Sequence, residues 1–208
     1  MYQNNTGNVV LFRRRKSYAG FSGSDEIKIV IVGSAGSGKT SLLHAVSETP
    51  VFGAEAAVSG RSTLAGKAST TVAMGYGQLH LYQSKLHLYG APGQRRFSFM
   101  ASVLCQGASG MLIMLDNHSD NILSELNYFL NFHSEFLARN PALIGISHCD
   151  CVPLQMEPME VRRYCLVRGV NIPVMRIDAR EKNQIVPALS RLVLDIYPYS
   201  ECSNTYVF

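Results

Sequence analysis

Eight consecutive residues hold the clearest chemistry in the sequence: Gly33-Ser34-Ala35-Gly36-Ser37-Gly38-Lys39-Thr40. Their spacing is G-x-x-x-x-G-K-[ST]. In it glycines let backbone N–H groups converge on phosphate oxygens, a lysine bridges the terminal phosphates and a hydroxyl reaches Mg²⁺. Such a loop must follow a buried strand and open a helix whose N-terminus adds partial positive charge. Both elements are predicted. Ile27 to Val32 is an apolar run ending in glycine, and Thr40 to about Glu48 places Leu42, Leu43 and Val46 on one side of a helix. Gly33, Ser34, Ala35, Gly36, Ser37, Gly38, Lys39, Thr40 and Ser41 are therefore candidate contacts to a nucleoside triphosphate.

The remaining elements must position that loop. Leu79 and Leu81, then Leu86 and Leu88, alternate on either side of a turn at Gln83-Ser84 and predict a hairpin. Short apolar runs predict strands over Gly110–Leu115, Leu143–Ile146 and Pro173–Ile177. Helices are predicted over Gln94–Gln106, 120–138, Pro158–Arg168 (closed by Gly169) and around Ile185–Ile196. Residues 50 to 70 have no period and contain Gly53, Gly60 and Gly66, which reads as a long loop. Apolar strands alternating with helices imply an α/β fold, with a mostly parallel sheet of about six strands, one of them antiparallel, and helices on both faces. Ligands of such sheets sit at the carboxyl ends of the strands, so the loops after Val32, Tyr89, Leu115, Ile146 and Ile177 should form the working surface.

Two further stretches carry a family resemblance that covers about residues 26 to 197. Thr70-Thr71-Val72-Ala73-Met74-Gly75-Tyr76-Gly77 and Leu86-His87-Leu88-Tyr89-Gly90-Ala91-Pro92-Gly93-Gln94-Arg95-Arg96-Phe97 resemble the two switch segments of the small Ras-like GTPases, which are P-loop NTPases. The chain is most similar to the bacterial branch related to the gliding-motility GTPases and to those encoded beside roadblock-type proteins. The resemblance implies GTP or GDP as ligand with Mg²⁺ held by Thr40 and Thr71. It also implies that Gly93 donates its N–H to the γ-phosphate, and that Gln94 orients the attacking water. Lys39 and Gln94 are then the candidate catalytic residues. Guanine would be read at Ser147-His148-Cys149-Asp150, where Asp150 accepts from the base, Ser147 stands for an asparagine and His148 for a lysine. Asp178, Ala179 and Arg180 fall where relatives present a backbone N–H to the base oxygen.

Departures from the pattern shape the expected activity. Gly90 stands where most relatives carry an aspartate that holds Mg²⁺ through water, and the methyl of Ala35 lies against the expected γ-phosphate. Slow hydrolysis is expected, so the resemblance points to a GTP-binding molecular switch that acts through a roadblock-type or GTPase-activating regulator protein. Two rival readings stay open: a nucleotide-binding scaffold without hydrolysis, and a P-loop kinase acting on a small molecule. The kinase lacks an arginine-rich lid, since Arg162, Arg163 and Arg168 fall on an ordinary predicted helix.

Composition bounds the rest. The chain has 208 residues, 47% apolar and 16% charged, enough for one well-buried domain, read as residues 25–200 between an N-terminal arm (1–24) and a tail (201–208). Arg13, Arg14, Arg15 and Lys16 account for the whole net charge of +4. The neutral body offers no electrostatic footprint for nucleic acid. The arm reads either as a solvated flexible tail or as a weak peripheral foot for an anionic membrane. Five cysteines, at 105, 149, 151, 165 and 202, make neither a disulfide framework nor a zinc spacing, and no run approaches the roughly 18 apolar residues of a membrane span. A reducing cytoplasm is the expected compartment. His44, His80, His87 and His133 read as packing or surface residues, and Cys149 and Cys151 as non-ligands.

Overall fold

The computed structural model describes residues 26–53, 55–57, 69–71 and 74–197. The basic arm, the tail and most of the loop expected at 50–70 lie outside the described residues. In chain order the elements are β1 (Glu26–Gly33), α1 (Lys39–Val46), β2 (Glu55–Ala57), β3 (Ser69–Thr71), β4 (Gly75–Leu81), β5 (Ser84–Gly90), a 3₁₀ turn (Arg95–Phe97), α2 (Ser98–Cys105), β6 (Gly110–Asp116), α3 (Ile122–Phe132), α4 (Ser134–Arg139), β7 (Ala142–Ser147), α5 (Pro158–Val167), β8 (Val174–Arg176) and α6 (Lys182–Ile196). Six strands form one sheet in the order β4-β5-β1-β6-β7-β8. Every pairing in it is parallel except β4 with β5. The expected architecture is the observed one.

The unbroken apolar runs are explained by two separate cores. Ile27, Ile29 and Ile31 face α1 and α6, packing with Leu42, Leu43, Val46, Leu189 and Leu192. Val30 and Val32 face the opposite layer, where Leu104, Ile113, Leu126, Ile144 and Val161 meet. A strand buried on both faces cannot alternate apolar with polar residues: β6 and β7 do not, and β1 stops doing so after Lys28. Capping fixes the helix starts nearby: Asn121 accepts from the Ser124 N–H at 2.9 Å, and α5 opens with Pro158 behind a Glu157/Glu160 capping box.

The structure differs locally from the sequence-based expectation in four places. The 50–70 segment contains an antiparallel ribbon, β2 with β3, pairing Glu55 with Thr71, too short for a hydrophobic period to announce it. The hairpin turn is Tyr82-Gln83 rather than Gln83-Ser84. Leu81 pairs with Ser84, and Tyr82 takes the left-handed conformation (φ 56°) that a two-residue hairpin loop demands. The helix expected from Gln94 starts as a 3₁₀ turn before α2. The long helix over 120–138 breaks at His133, which turns inward with its ring stacked on Phe129 and Nδ1 3.9 Å from the Cys105 sulfur. Burial pushes the His133 pKa down to about 4, so that imidazole is neutral near pH 7.

The outer edge of β4 is occupied by the connection that leaves α1. Glu48 N–H donates to the Gln78 carbonyl (2.8 Å), Ser47 Oγ accepts from Gln78 N–H (3.1 Å), and Phe52 and Tyr76 exchange backbone bonds of 3.0 and 2.7 Å. Close approach also constrains the start of β4. A Cβ on Gly75 would lie 2.7 Å from Leu43 Cδ1, and one on Gly90 would lie 3.1 Å from the same methyl. Gly75→Ala should therefore cost about 1–3 kcal/mol in denaturant unfolding. In a Leu43→Ala background the same substitution should cost clearly less, as a double-mutant cycle would read.

Candidate functional site

The loop between β1 and α1 is shaped by its glycines. Gly36 and Gly38 both have φ of 92°, a conformation that costs any residue with a Cβ, and Gly38 is the N-cap of α1. Inside the curve the Lys39 ammonium, almost wholly buried, donates to the carbonyls of Gly33 (2.8 Å) and Ser34 (2.5 Å) and to Ser37 Oγ (3.2 Å). Thr40 follows in the first turn of α1, and Ser41 lies beside it, partly buried.

Loops from all the expected strand ends gather around this curve. Gly93, after β5, is pressed onto it: a Cβ there would lie 2.4 Å from the Ala35 nitrogen and 2.5 Å from the Ser34 carbonyl carbon. Ala179, after β8, touches it from another side, within 2.7 Å of where a Gly38 Cβ would stand. Asp116, ending β6, brings Oδ2 to 3.8 Å from the corresponding point on Gly36. Gln94 lines a cavity with Gly33, Ser34, Gly93 and Glu125, but its amide oxygen accepts from Arg96 Nε at 2.7 Å. Thr71 lies in β3, and its side chain falls outside the described part of the structure.

At the far end of the curve the residues expected to read a base are drawn together. Ser147 is buried and its hydroxyl donates to the Leu115 carbonyl at 3.1 Å, tying β7 to β6. His148 has φ 56°, and its Nδ1 lies 2.8 Å from Asp116 Oδ1. Arg180 bridges two carboxylates, reaching Asp150 Oδ2 at 2.6 Å and Asp178 Oδ2 at 2.6 Å, while its Nε donates to Asp178 Oδ1 at 2.9 Å. The Arg180 hydrogen bond holds the Asp178 pKa down to about 2 and lowers that of Asp150, whereas the two carboxylates raise that of Arg180. Asp150, at the outer end, is exposed.

Sequence reasoning passed over three residues of this region. Asn117 is buried and donates to the carbonyls of Val152 and Pro153 (3.2 Å each) while accepting from Gln155 N–H (3.0 Å), so it fixes the loop that carries Asp150. Asp116 was hidden by ending an otherwise apolar strand. Glu125, nine-tenths buried, reaches from α3 to accept the Ser34 N–H at 3.3 Å, and its Oε2 has no hydrogen-bond partner among the described residues. A signal for Glu125 existed: it stands three positions after Ile122, on the apolar stripe of the helix. Burial pushes its pKa up, and the Asp116 charge adds to this against the opposing Ser34 bond.

Comparison with known proteins fixes the family. A model described as "Ras of Complex, Roc, domain of DAPkinase" matches residues 28–150, more than half of the chain. The chain belongs to the Roc family. This Roc domain is similar to the Ras-related protein Rab-5B of Plasmodium falciparum, with 22% identity over 175 residues, 83% of this chain and 78% of that protein. It is also similar to an uncharacterized protein of Methanocaldococcus jannaschii, with 35% identity over 92 residues, 44% of this chain. The chain spans about half (52%) of the length of that archaeal relative. Among the described residues of the Roc domain no helix is long and apolar enough to cross a membrane.

Two titrations check the electrostatics. A carboxylate whose pKa is raised by folding destabilises the fold once pH exceeds its unfolded value, and does not do so below it. Glu125→Gln keeps the oxygen that accepts from Ser34 and removes the charge. It should melt above the parent at about pH 8 and together with it near pH 4. Asp178 has the opposite sign, since its pairing contributes stability that is fully present above about pH 4 and is lost as pH falls toward about 2. Arg180→Ala should return Asp178 to the ordinary carboxylate range in an NMR titration.

Proposed function

We propose that this Roc domain is a GTP- and GDP-binding switch with slow hydrolysis, whose output is partner binding through residues about 50 to 77 and 90 to 100. The observation that carries the reading is the contact between Gly93 and the Ser34–Ala35 backbone. A terminal phosphate held by the 33–40 loop would have to enter beside Gly93 and take its N–H. A nucleoside diphosphate would not reach it. The segment after β5 therefore senses the third phosphate, and the two nucleotides would leave it in different places.

The residues present suit such a ligand. The buried Lys39 ammonium can exchange loop carbonyls for phosphate oxygens, and the left-handed glycines at 36 and 38 leave room for the backbone to approach. Mg²⁺ would be held by Thr40 and Thr71, neutralising the phosphates. Gly90 contributes no carboxylate to that site, and a Cβ there would lie 3.1 Å from Leu43 Cδ1. At the base, Asp150 would accept from guanine once its oxygens are shared with Arg180, and Ala179 would offer its N–H beside Gly38. A roadblock-type or GTPase-activating protein is the proposed partner. Exposed Phe99 and Val103 on α2 give apolar surface next to the sensing segment.

A scaffold that binds without hydrolysing is favoured by a separate observation: the Gln94 amide oxygen accepts from Arg96 Nε instead of facing the 33–40 loop. Single-turnover phosphate release, with and without a cognate partner, separates the two readings. Release that a partner accelerates supports the switch, and none in either case supports the scaffold.

Binding assays test the common part. Lys39→Ala should lose GTP and GDP affinity together. Asp150→Asn should weaken guanine nucleotides by about 10²-fold or more and restore binding to xanthine nucleotides, whose 2-oxo group the new amide can reach. Gly93→Ala, which cannot keep its present contact with Ala35, should bind GDP like the parent and show the same protease sensitivity with either nucleotide. Equal and tight binding of ATP by the parent chain would overturn the assignment.

A further inference from the structure

Parallel pairing of β6 with β7 sets Asp116 opposite Ser147, so the first residue beyond β7, His148, comes alongside the Asp116 carboxylate. His118, two residues after β6, lies over the same spot. Its ring is tilted 40° to that of His148, with centroids 5.1 Å apart. One donor atom from each of Asp116, His118 and His148 lies within 4.8 Å of the other two. The sequence separates the two histidines by thirty positions, which is why no metal spacing was legible in it.

A plain Asp–His hydrogen bond explains two of these residues and leaves the third, since His118 is exposed and donates to Asp116 only through its backbone N–H, at 2.9 Å. The backbone of His148 is held at φ 56°, a conformation rarely taken by a residue with a Cβ, and this turns its imidazole toward Asp116. Ser147 Oγ stands 3.4 Å from the same Nδ1. Two imidazoles and one carboxylate form a donor set suited to borderline divalent ions such as Zn²⁺ or Co²⁺. Mg²⁺ and Ca²⁺ ask for more oxygens. Around a tetrahedral ion with bonds of about 2.0–2.2 Å, ligand atoms stand about 3.3 Å apart. The 2.8 Å pair would open slightly and the exposed His118 ring would swing in, with no movement of either strand.

We propose that Asp116, His118 and His148 form a binding site for a zinc-class divalent cation, with water at the fourth position. The site adjoins the phosphate loop at Gly36 and shares His148 with the proposed base-reading segment. Its existence does not depend on a nucleotide being bound.

Co²⁺ added to the full chain in a Mg²⁺-containing buffer, without nucleotide, is the direct test. The expected result is one ion per chain, visible absorption of tetrahedral nitrogen–oxygen type, and displacement by Zn²⁺. His118→Ala and His118→Asn, at an exposed position outside the nucleotide-binding residues, should each weaken Co²⁺ by about tenfold or more while leaving the melting temperature without metal unchanged. Asp116→Asn should weaken it as well. Unchanged Co²⁺ affinity in both His118 variants overturns the proposal. So does a near-ultraviolet thiolate band that disappears in Cys149→Ser or Cys151→Ser, since the metal would then sit on sulfur. Failure of Asp150→Asn to change base preference would overturn the guanine reading and leave this result standing.

Discussion

Lys39 is nearly excluded from water, and the oxygens of Gly33, Ser34 and Ser37 accept the hydrogen bonds that its ammonium would otherwise give to solvent. A buried ammonium without such partners would lose its proton or unfold its surroundings. Much of the local geometry follows from this requirement. The loop must double back so that its carbonyls face the lysine, which demands left-handed backbone at Gly36 and Gly38. The strand must end at Gly33 and the helix begin at Lys39, because the reach of the side chain is fixed.

The two helical layers hold that loop from either side of the sheet. α1 presses Leu43 toward the glycines at the ends of β4 and β5, and α3 sends Glu125 beneath the loop to hold Ser34. One contact holds the loop itself and the other the strands beside it, so substitutions in either layer would be felt at the loop.

The fold was readable because its strands are buried on both faces and its phosphate loop has a rigid spacing. Ile27–Val32, Gly110–Leu115 and Leu143–Ile146 could be placed from apolar runs alone, and the loops after β1, β5, β6, β7 and β8 do converge. Residues that act through tertiary neighbours were not readable. Glu125 is one polar position on an apolar stripe, and its role depends on how close α3 comes to Ser34. The Asp116–His148 pair depends on the register of β6 against β7, which no local pattern encodes. Tyr82 adopted a glycine-like conformation because the pairing of Leu81 with Ser84 left only two residues for the turn. Arg180 was placed on its loop, yet its bridge between Asp150 and Asp178 arises from packing between separate loops.

Backbone that would otherwise be an adhesive margin is sealed on β4 by Ser47, Glu48 and Phe52, residues that leave the very helix the phosphate loop initiates. An uncovered strand of this kind invites pairing with another chain. Protection against self-association is thus built from the stretch that joins the phosphate loop's helix to the first switch-like segment. Any event that peeled this stretch away would create a sticky template as well as a different shape, so solubility and conformational state are tied to one another through a few main-chain bonds.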